Sequence, residues 1–256
     1  MDDKYKLSSL DSTLKLIDYM AYTALSKEVG ITELSEKLLL GKSTVHRILN
    51  TLLDYGYIVR NNENGKYSLG FKFVNVADAI LERLDIITVT RTVIESMVDS
   101  LMHNAAMVSF ENSYAVVIES YPCRNRGYVV YNTGDIFPAY ASSAGKLFLS
   151  RLSESNLRTY FDNTELKPLT PYTLITKSDI CTSFVEGNSQ GYFICNQEFN
   201  EGIMSFAAPV FDEKGNLAAA LMLYGPLSEM SDEEELLTDK LKKTAAVCSQ
   251  LYTQKL

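Results

Sequence analysis

The segment from Lys42 to Tyr55 places the tightest limits on the fold of this 256-residue chain. At about 100° per residue, four aliphatic side chains fall on one helical face and polar side chains fall on the other. The apolar positions are Val45, Ile48, Leu49 and Leu52, and the polar positions are Ser43, Arg47, Asn50 and Asp54. A short helical pattern, GITELSEKLLLG, precedes the segment and ends near Gly41. Two short helices joined by a glycine-containing turn predict a helix-turn-helix.

Acidic residues are scarce in this part of the chain. The formal net charge is −8, but residues 1–70 carry 9 basic and 9 acidic residues, so the excess acid belongs to residues 71–256. From Lys37 to Leu53 there are three basic residues, Lys37 included, and no acid. A carboxylate early in a recognition helix would repel DNA phosphates, so the pattern favours DNA binding. Short acid-free windows also arise by chance, and charge alone does not decide between these explanations.

Two strand-like runs follow the second helix. Residues 57–60 and 66–69 flank a turn whose Asn64-Gly65 pair is typical of a β-hairpin. A hairpin directly after a recognition helix is a wing, and its basic side chains can reach phosphates. The predicted DNA-contacting residues are Lys42, Ser43, Thr44, His46, Arg47, Asn50, Arg60 and Lys66. A winged helix that binds only another protein is the alternative.

The chain lacks the residue patterns of a membrane protein, a metalloprotein or an enzyme. There is no run of 18 apolar residues and no secretion signal, so we expect a cytoplasmic protein. The four cysteines form no CxxC pair, and the two histidines are far apart, so neither a metal site nor a cofactor is predicted. No catalytic triad or carboxylate pair is visible, and we expect no enzymatic activity. An enzyme acting on a small ligand is kept as a competing hypothesis.

The pattern of residues 71–103 predicts two successive helices. The first, over residues 71–84, is predicted to be a linker helix with an apolar stripe at Phe73, Val76, Ala77 and Ile80. That stripe fits either a partner helix or packing within the chain. The second helix extends to about His103.

The remainder of the chain predicts an antiparallel sheet with helices packed on it, an α+β arrangement. A hairpin is expected in AMVSFENSYAVVIESY, a strand and a turn in RGYVVYNTGDIF, and two strands joined by a turn in FAAPVFDEKGNLAAALMLYG. Along the last strand, Ala220, Met222 and Tyr224 share one face, as expected of a cavity wall. The final helix is predicted to start at Ser231, with Glu234 completing a capping box.

Three blocks of sequence together match one known family. They are the region around KSTVHRIL, GYI and GKYSLG, then GDIFPAYASSAGKLFLS, and then GYFICNQEFNEGIMSFAAPVFDEKGNLAAALMLYGP. In this order they resemble the IclR family of bacterial transcriptional regulators. The resemblance implies a winged helix-turn-helix over residues 1–70, a linker helix over residues 71–84 and a GAF-like effector-binding domain over residues 85–256. It also implies a homodimer or tetramer that binds double-stranded operator DNA and a small-molecule effector, and we expect a repressor.

The resemblance further implies the positions of an effector site. Carried onto matching positions, it assigns Phe137, Ser142, Ser143, Ala144, Cys195, Ser205, Met222 and Tyr224. From the residues alone, ASSAG could open a helix whose free N–H groups bind an anion, but the spacing favours an ordinary serine cap with a glycine for close packing. Four of the assigned positions depart from the family pattern. Ser205 stands where cysteine is common, Cys195 where a carboxylate is common, and Met222 and Tyr224 where some members have serine. These exchanges add apolar bulk, so we expect a larger or partly apolar acid rather than an oxo-acid of two or three carbons.

Overall fold

The structure is a computed structural model that describes residues 7–23, 28–81, 85–124 and 129–254. The chain divides into two compact units, Met1–Arg83 and Leu84–Leu256, here called the first and second units. None of the helices in the described part combines the length and the apolar character needed to cross a bilayer.

The first unit is a helix-turn-helix followed by a hairpin and one further helix. Its elements are α1 (Ser8–Asp18, continued by a π-helical turn over Tyr19–Thr23), α2 (Ile31–Leu38), α3 (Lys42–Asp54), β1 (Ile58–Arg60), β2 (Tyr67–Leu69) and α4 (Lys72–Leu81). Between α2 and α3 the chain reverses at Leu39, which adopts a left-handed conformation with φ of 54°. The hydroxyl of Ser35 donates to the carbonyl oxygen of Leu40 at 2.6 Å, which closes the turn.

The core of the first unit is the apolar face of α3. All four side chains predicted for that face are buried, and they pack with Leu16, Leu34, Val29, Ile58 and Tyr67. Burial of an aliphatic side chain of this size stabilises a fold by about 1.5–3 kcal/mol. This one-sided burial orients α3, so its polar face is turned to solvent.

The second unit is a six-stranded antiparallel sheet covered by helices. Its elements are α5 (Asp85–Leu101), β3 (Asn104–Glu111), β4 (Tyr114–Tyr121), β5 (Ile136–Pro138), α6 (Ser143–Leu149), α7 (Glu154–Asn163), α8 (Lys177–Gln190), β6 (Phe193–Asn196), β7 (Ile203–Phe211), β8 (Leu217–Pro226), α9 (Leu227–Met230) and α10 (Glu234–Gln254). The strand order is β5-β4-β3-β8-β7-β6. A 3₁₀ turn over Ala139–Ala141 connects β5 to α6.

Strand β8 shows the predicted alternation. Ala220, Met222 and Tyr224 belong to the core cluster shared with α6, whereas Leu221 and Leu223 are fully buried outside that cluster. Helix α10 packs on β7 and β8 and against α5. Because successive side chains of a strand point to opposite faces, the sheet has α6 on one side and α10 on the other.

Two predictions for the second unit are wrong. Residues 129–132 form a loop rather than the predicted strand (residues 125–128 lie outside the described part), whereas the predicted turn is present at residues 133–134, where hydrogen bonds from Val117 and Gly134 fix it beside β4. Ser231 is not the N-cap of the final helix, since its backbone is already helical (φ −68°, ψ −35°) and its N–H donates to the carbonyl oxygen of Leu227 at the end of a shorter helix. A separate short helix, α9, follows Pro226 and lies ahead of the predicted start.

Candidate DNA-binding and effector sites

Helix α3 exposes all six of its predicted DNA-contacting residues, which are Lys42, Ser43, Thr44, His46, Arg47 and Asn50. Its first turn contains no acidic residue, and Asp54 is its last residue. In the described part of the chain, no acidic side chain forms an ion pair with Arg47. The guanidinium is therefore available to an outside acceptor.

Two contacts order the exposed surface of α3. The amide nitrogen of Asn50 lies 3.3 Å from Nδ1 of His46, one turn earlier, so these side chains form a pair. The hydroxyl of Thr51 donates to the carbonyl oxygen of Arg47 at 3.0 Å and is thereby occupied. An amide next to an imidazole and a free guanidinium offers hydrogen-bond donors suited to the base edges of the major groove.

The wing is a two-stranded hairpin in which Arg60 pairs with Tyr67. Its turn needs Gly65, whose φ of +72° is unfavourable for any residue with a Cβ. Arg60 lies over the ring of Tyr67, with its guanidinium carbon 5.8 Å from the ring centroid. Both predicted wing contacts, Arg60 and Lys66, are exposed.

Glu28 ties the wing to the segment that precedes α2. Its carboxylate accepts hydrogen bonds from the amides of Asn61 at 2.8 Å and Asn64 at 2.6 Å. These bonds, with that of Asn64 the stronger, hold the pKa of Glu28 below its usual range. We did not identify Glu28 from the sequence, because 33 and 36 residues separate it from its partners. The wing is therefore held in place before any DNA arrives.

The register of three neighbouring strands brings the predicted effector residues together. Cys195 on β6 pairs with Ser205 on β7, which pairs with Tyr224 on β8. Met222 lies two residues before Tyr224 on the same face of β8. The three strands therefore form a continuous wall facing α6.

This wall borders a cavity of about 20 Å³, which has room for roughly one water molecule. The lining residues are Tyr131, Phe137, Ser142, Cys195, Phe199, Asn200, Ile203, Ser205 and Met222. Five of the eight predicted effector residues are among them. The other three, Ser143, Ala144 and Tyr224, are fully buried next to the cavity.

The small polar groups around the cavity bond to one another. Ser143 and Ser205 share a hydrogen bond of 2.8 Å between their hydroxyls, and the thiol of Cys195 donates to the carbonyl oxygen of Ala141 at 3.2 Å. Burial raises the pKa of Cys195 to about 11, so the thiol stays protonated at neutral pH. A ligand that hydrogen-bonds here must compete with these internal partners.

The start of α6 fits the explanation of ASSAG as a serine cap with a glycine for close packing. Ser142 caps the helix by accepting a hydrogen bond from the N–H of Gly145 at 3.1 Å. A Cβ at Gly145 would lie 2.3 Å from the carbonyl oxygen of Ala139, so only glycine fits this approach. Capping therefore accounts for Ser142, and close packing accounts for Gly145.

A buried ion pair stands beside the predicted effector residues. Lys146 on α6 donates to Glu198 at 2.5 Å, and their side chains are only 3% and 8% exposed. Burial raises the pKa of Glu198, and the nearby Lys146 ammonium opposes that shift. We identified neither residue from the sequence, nor the lining residues Tyr131, Phe199, Asn200 and Ile203. No local pattern marks residues that meet only through the fold.

The described ranges contain no group of three or more histidine, cysteine, aspartate or glutamate side chains placed to hold a metal ion. Cys123, Cys181, Cys195 and Cys248 are all free.

Two protein-family models match the chain. The model for the IclR helix-turn-helix domain matches residues 9–62, and the model for the C-terminal region of the bacterial transcriptional regulator IclR matches residues 78–250. Together they cover both compact units.

Individual proteins agree with this assignment. The HTH-type transcriptional regulator XynR of Escherichia coli K12 is 26% identical over 228 residues, spanning 89% of this chain and 90% of XynR. The transcriptional repressor IclR of the same organism is 26% identical over 230 residues, spanning 89% of this chain and 83% of IclR.

Solved structures share the fold. A transcriptional regulator from Alicyclobacillus acidocaldarius matches 97% of this chain and all of its own with a TM-score of 0.80 and 22% identity. An IclR homologue from Microbacterium hydrocarbonoxydans, complexed with 4-hydroxybenzoate, matches 96% of this chain and 99% of its own with a TM-score of 0.82 and 16% identity.

These matches decide between the hypotheses raised by the sequence. The matched families and relatives are DNA-binding transcriptional regulators rather than enzymes, and their helix-turn-helix corresponds to the segment with the acid-free recognition helix. The α+β fold with an N-terminal winged helix is confirmed. The chain belongs to the IclR family of bacterial transcriptional regulators.

Proposed function

We propose that this protein is a ligand-responsive repressor that binds a specific operator through α3 and the wing. The observation that carries the proposal is the exposed, acid-free polar face of α3, which is oriented by its buried apolar face. In this scheme a small carboxylic acid binds in the second unit and changes the affinity for DNA. As a regulator of bacterial transcription, the protein would act in the cytoplasm.

The DNA-contacting residues divide into two roles. Ser43, Thr44, His46, Arg47 and Asn50 read base edges in the major groove, with Arg47 suited to guanine and Asn50 to adenine. Lys42, Arg60 and Lys66 contact phosphates, which sets orientation but carries no sequence information. The hydrogen bonds that Asn61 and Asn64 donate to Glu28 support this role for the wing, because a wing that is already positioned loses less entropy on binding.

We propose a homodimer, or a tetramer built from dimers, as the DNA-binding form. Val76 and Ala77 of the predicted linker stripe are exposed in the single chain, while Phe73 stacks edge-on against Tyr57 with ring centroids 5.0 Å apart (the side chain of Ile80 lies outside the described part). Exposed apolar residues on a helix are available to a second copy. Two copies would read the two halves of an inverted repeat.

We propose that the effector binds at the small cavity beside β6–β8. A mixture of ring-bearing, thioether and hydroxyl side chains suits a ligand with an apolar body and a polar end. The repressor role follows relatives such as the repressor IclR, and an acid ligand is consistent with the homologue solved with 4-hydroxybenzoate. Since 20 Å³ holds only a water, binding must select a more open arrangement of the site.

The experiment that tests the proposed function is selection of DNA from a random duplex library with the purified protein at moderate salt. We expect enrichment of an inverted repeat. A candidate effector, added afterwards, should change the affinity for that repeat. A library that shows no enrichment with or without acid metabolites would contradict the proposal.

Replacing Lys66 by alanine should weaken binding to all DNA sequences alike. Loss of one phosphate contact lowers the slope of log K against log salt by about one unit and leaves base discrimination unchanged. The measurement is fluorescence anisotropy on the selected operator and on random duplex over a series of salt concentrations. Lys214→Ala, in the exposed turn between β7 and β8, is the matched control and should alter neither slope nor discrimination. A selective loss of operator binding in Lys66→Ala would contradict the phosphate assignment.

A further inference from the structure

We propose that the ring of Tyr131 occupies the space of the effector and that the ligand takes its place, so that Tyr131 sets the size and shape of what binds. This proposal rests on the proposed function and names the class of ligand for that same cavity: a flat, ring-bearing acid with an oxygen substituent on the ring.

The ring of Tyr131 packs against two other rings of the site. It lies 4.4 Å from the ring of Tyr224 and 4.8 Å from the ring of Phe137, measured between centroids. It lines the same cavity as Met222 and is itself only 8% exposed. The cavity beside this ring has a volume of about 20 Å³.

Tyr131 does not belong to a helix or strand, so its position depends on a few specific bonds. Its backbone N–H donates to the hydroxyl of Tyr224 at 3.0 Å, and its carbonyl oxygen accepts from the hydroxyl of Ser120 at 2.5 Å. Its phenol oxygen accepts from the side-chain amide of Asn200 at 3.2 Å. The backbone bonds hold the segment, whereas the ring is held by the Asn200 bond and by its contacts with the rings of Tyr224 and Phe137, none of which is a strand-pairing bond. The ring can therefore leave the cavity without unfolding the sheet.

The groups around the ring indicate what can replace it. A substitute must be flat to lie between Tyr224 and Phe137, since offset and edge-on ring contacts are geometry-dependent. It must also carry an oxygen where the Tyr131 phenol is now, so that the Asn200 amide keeps an acceptor. Because burial raises the pKa of Tyr131 to about 12, the oxygen that Asn200 now meets is an uncharged phenol. A ring hydroxyl on the ligand reproduces this contact.

Removing the ring should open the site to small flat molecules. An apolar cavity of roughly 150 Å³ is enough to bind benzene, and deleting the tyrosine ring enlarges the present cavity toward that size. Using isothermal titration calorimetry on the full chain, we expect Tyr131→Ala to bind phenol and 4-hydroxybenzoate at least tenfold more tightly than the wild type. Cyclohexanol, which is similar in size but not flat, should bind more weakly than phenol.

A conservative variant tests the hydrogen bond separately. Tyr131→Phe keeps the ring but loses the oxygen that accepts from Asn200. This raises the fraction of molecules whose ring has left the cavity, and it should tighten binding of 4-hydroxybenzoate by roughly fivefold. Tyr114→Ala removes an exposed tyrosine of β4 and should leave every affinity unchanged. Because Tyr131→Phe preserves packing, it carries the test even if Tyr131→Ala does not fold.

The outcomes separate this proposal from the proposed function. If phenol binds Tyr131→Ala no better than the wild type, or if 4-hydroxybenzoate binds Tyr131→Phe no better than the wild type, the role of Tyr131 is overturned. If phenol binds Tyr131→Ala tightly but no carboxylic acid binds any of the proteins, Tyr131 fills the site as inferred and the acid effector is the part that fails.

Discussion

Replacing Lys146 by methionine should lower the free energy of unfolding of the second unit by about 3–5 kcal/mol. Methionine retains most of the volume of the lysine stem, so the main loss is the charge that compensates Glu198. A carboxylate left buried without its partner carries an uncompensated desolvation penalty. Hydrogen exchange of the amides in β6–β8, followed by mass spectrometry at pH 7.5, measures the change in this unit separately from the first.

The loss of unfolding free energy caused by Lys146→Met should become smaller as the pH falls. Burial already raises the pKa of Glu198, and loss of the ammonium removes the largest effect that opposes this shift. An acid whose folded pKa exceeds its unfolded pKa binds more protons when folded, so its contribution to stability falls as pH rises between the two values. The variant should therefore be closer to the wild type at pH 5 than at pH 8.

Two further variants distinguish charge burial from a general loss of packing. Lys243→Met removes a lysine from an exposed pair with Asp239 and should cost less than about 0.5 kcal/mol. The double variant Lys146→Met with Glu198→Leu, which removes both charges, should recover most of the lost stability. If the double variant were as unstable as Lys146→Met, the loss would come from packing and the electrostatic explanation would fail.

Replacing Arg47 by alanine should reduce discrimination between the operator and random DNA by about 1–3 kcal/mol. The guanidinium lies on the exposed face of α3, without an acidic partner in the described part of the chain, so it is free to bond a guanine edge. Such a bond is made only on the correct base, and its loss weakens specific binding more than non-specific binding. Competition titrations of the selected operator against random duplex, at one fixed salt concentration, measure the ratio directly.

Arg158→Ala is the matched control for this experiment. Arg158 is an exposed arginine on α7 that pairs with Glu154, and its loss should leave the discrimination unchanged. Equal weakening of operator and random DNA by Arg47→Ala would reassign Arg47 to a phosphate contact. Loss of discrimination in Arg158→Ala would instead show that net charge, rather than base reading, controls the ratio.

Local patterns were sufficient to predict the recognition helix and several hairpins. The spacing of Val45, Ile48, Leu49 and Leu52 predicted which face of α3 is buried, because a period of 3.6 residues leaves few alternatives. Asn64-Gly65 predicted the wing turn, and Asp212 to Asn216 predicted the turn between β7 and β8, since few residue types tolerate such conformations. The capping-box pattern of Ser231 and Glu234 gave a wrong helix start, because a short helix that ends at Ser231 already makes its backbone helical.

The positions of the predicted effector residues could be assigned only by resemblance, and their surroundings only by the structure. Strand register places Cys195 beside Ser205 and Ser205 beside Tyr224. The sequence does not show that Tyr131, from an irregular segment, lines the same cavity as Cys195 and Ser205.

The sequence by itself determined which faces are buried, where the chain turns and that one helix is free of acids, because these properties depend on residues within one or two turns of each other. Tertiary structure alone decided the size of the cavity, the anchoring of the wing by Glu28 and the burial of Lys146 with Glu198. The last two partners are 52 residues apart. Contacts of that kind form only when the packing of the sheet and helices brings distant residues together and removes the water between them.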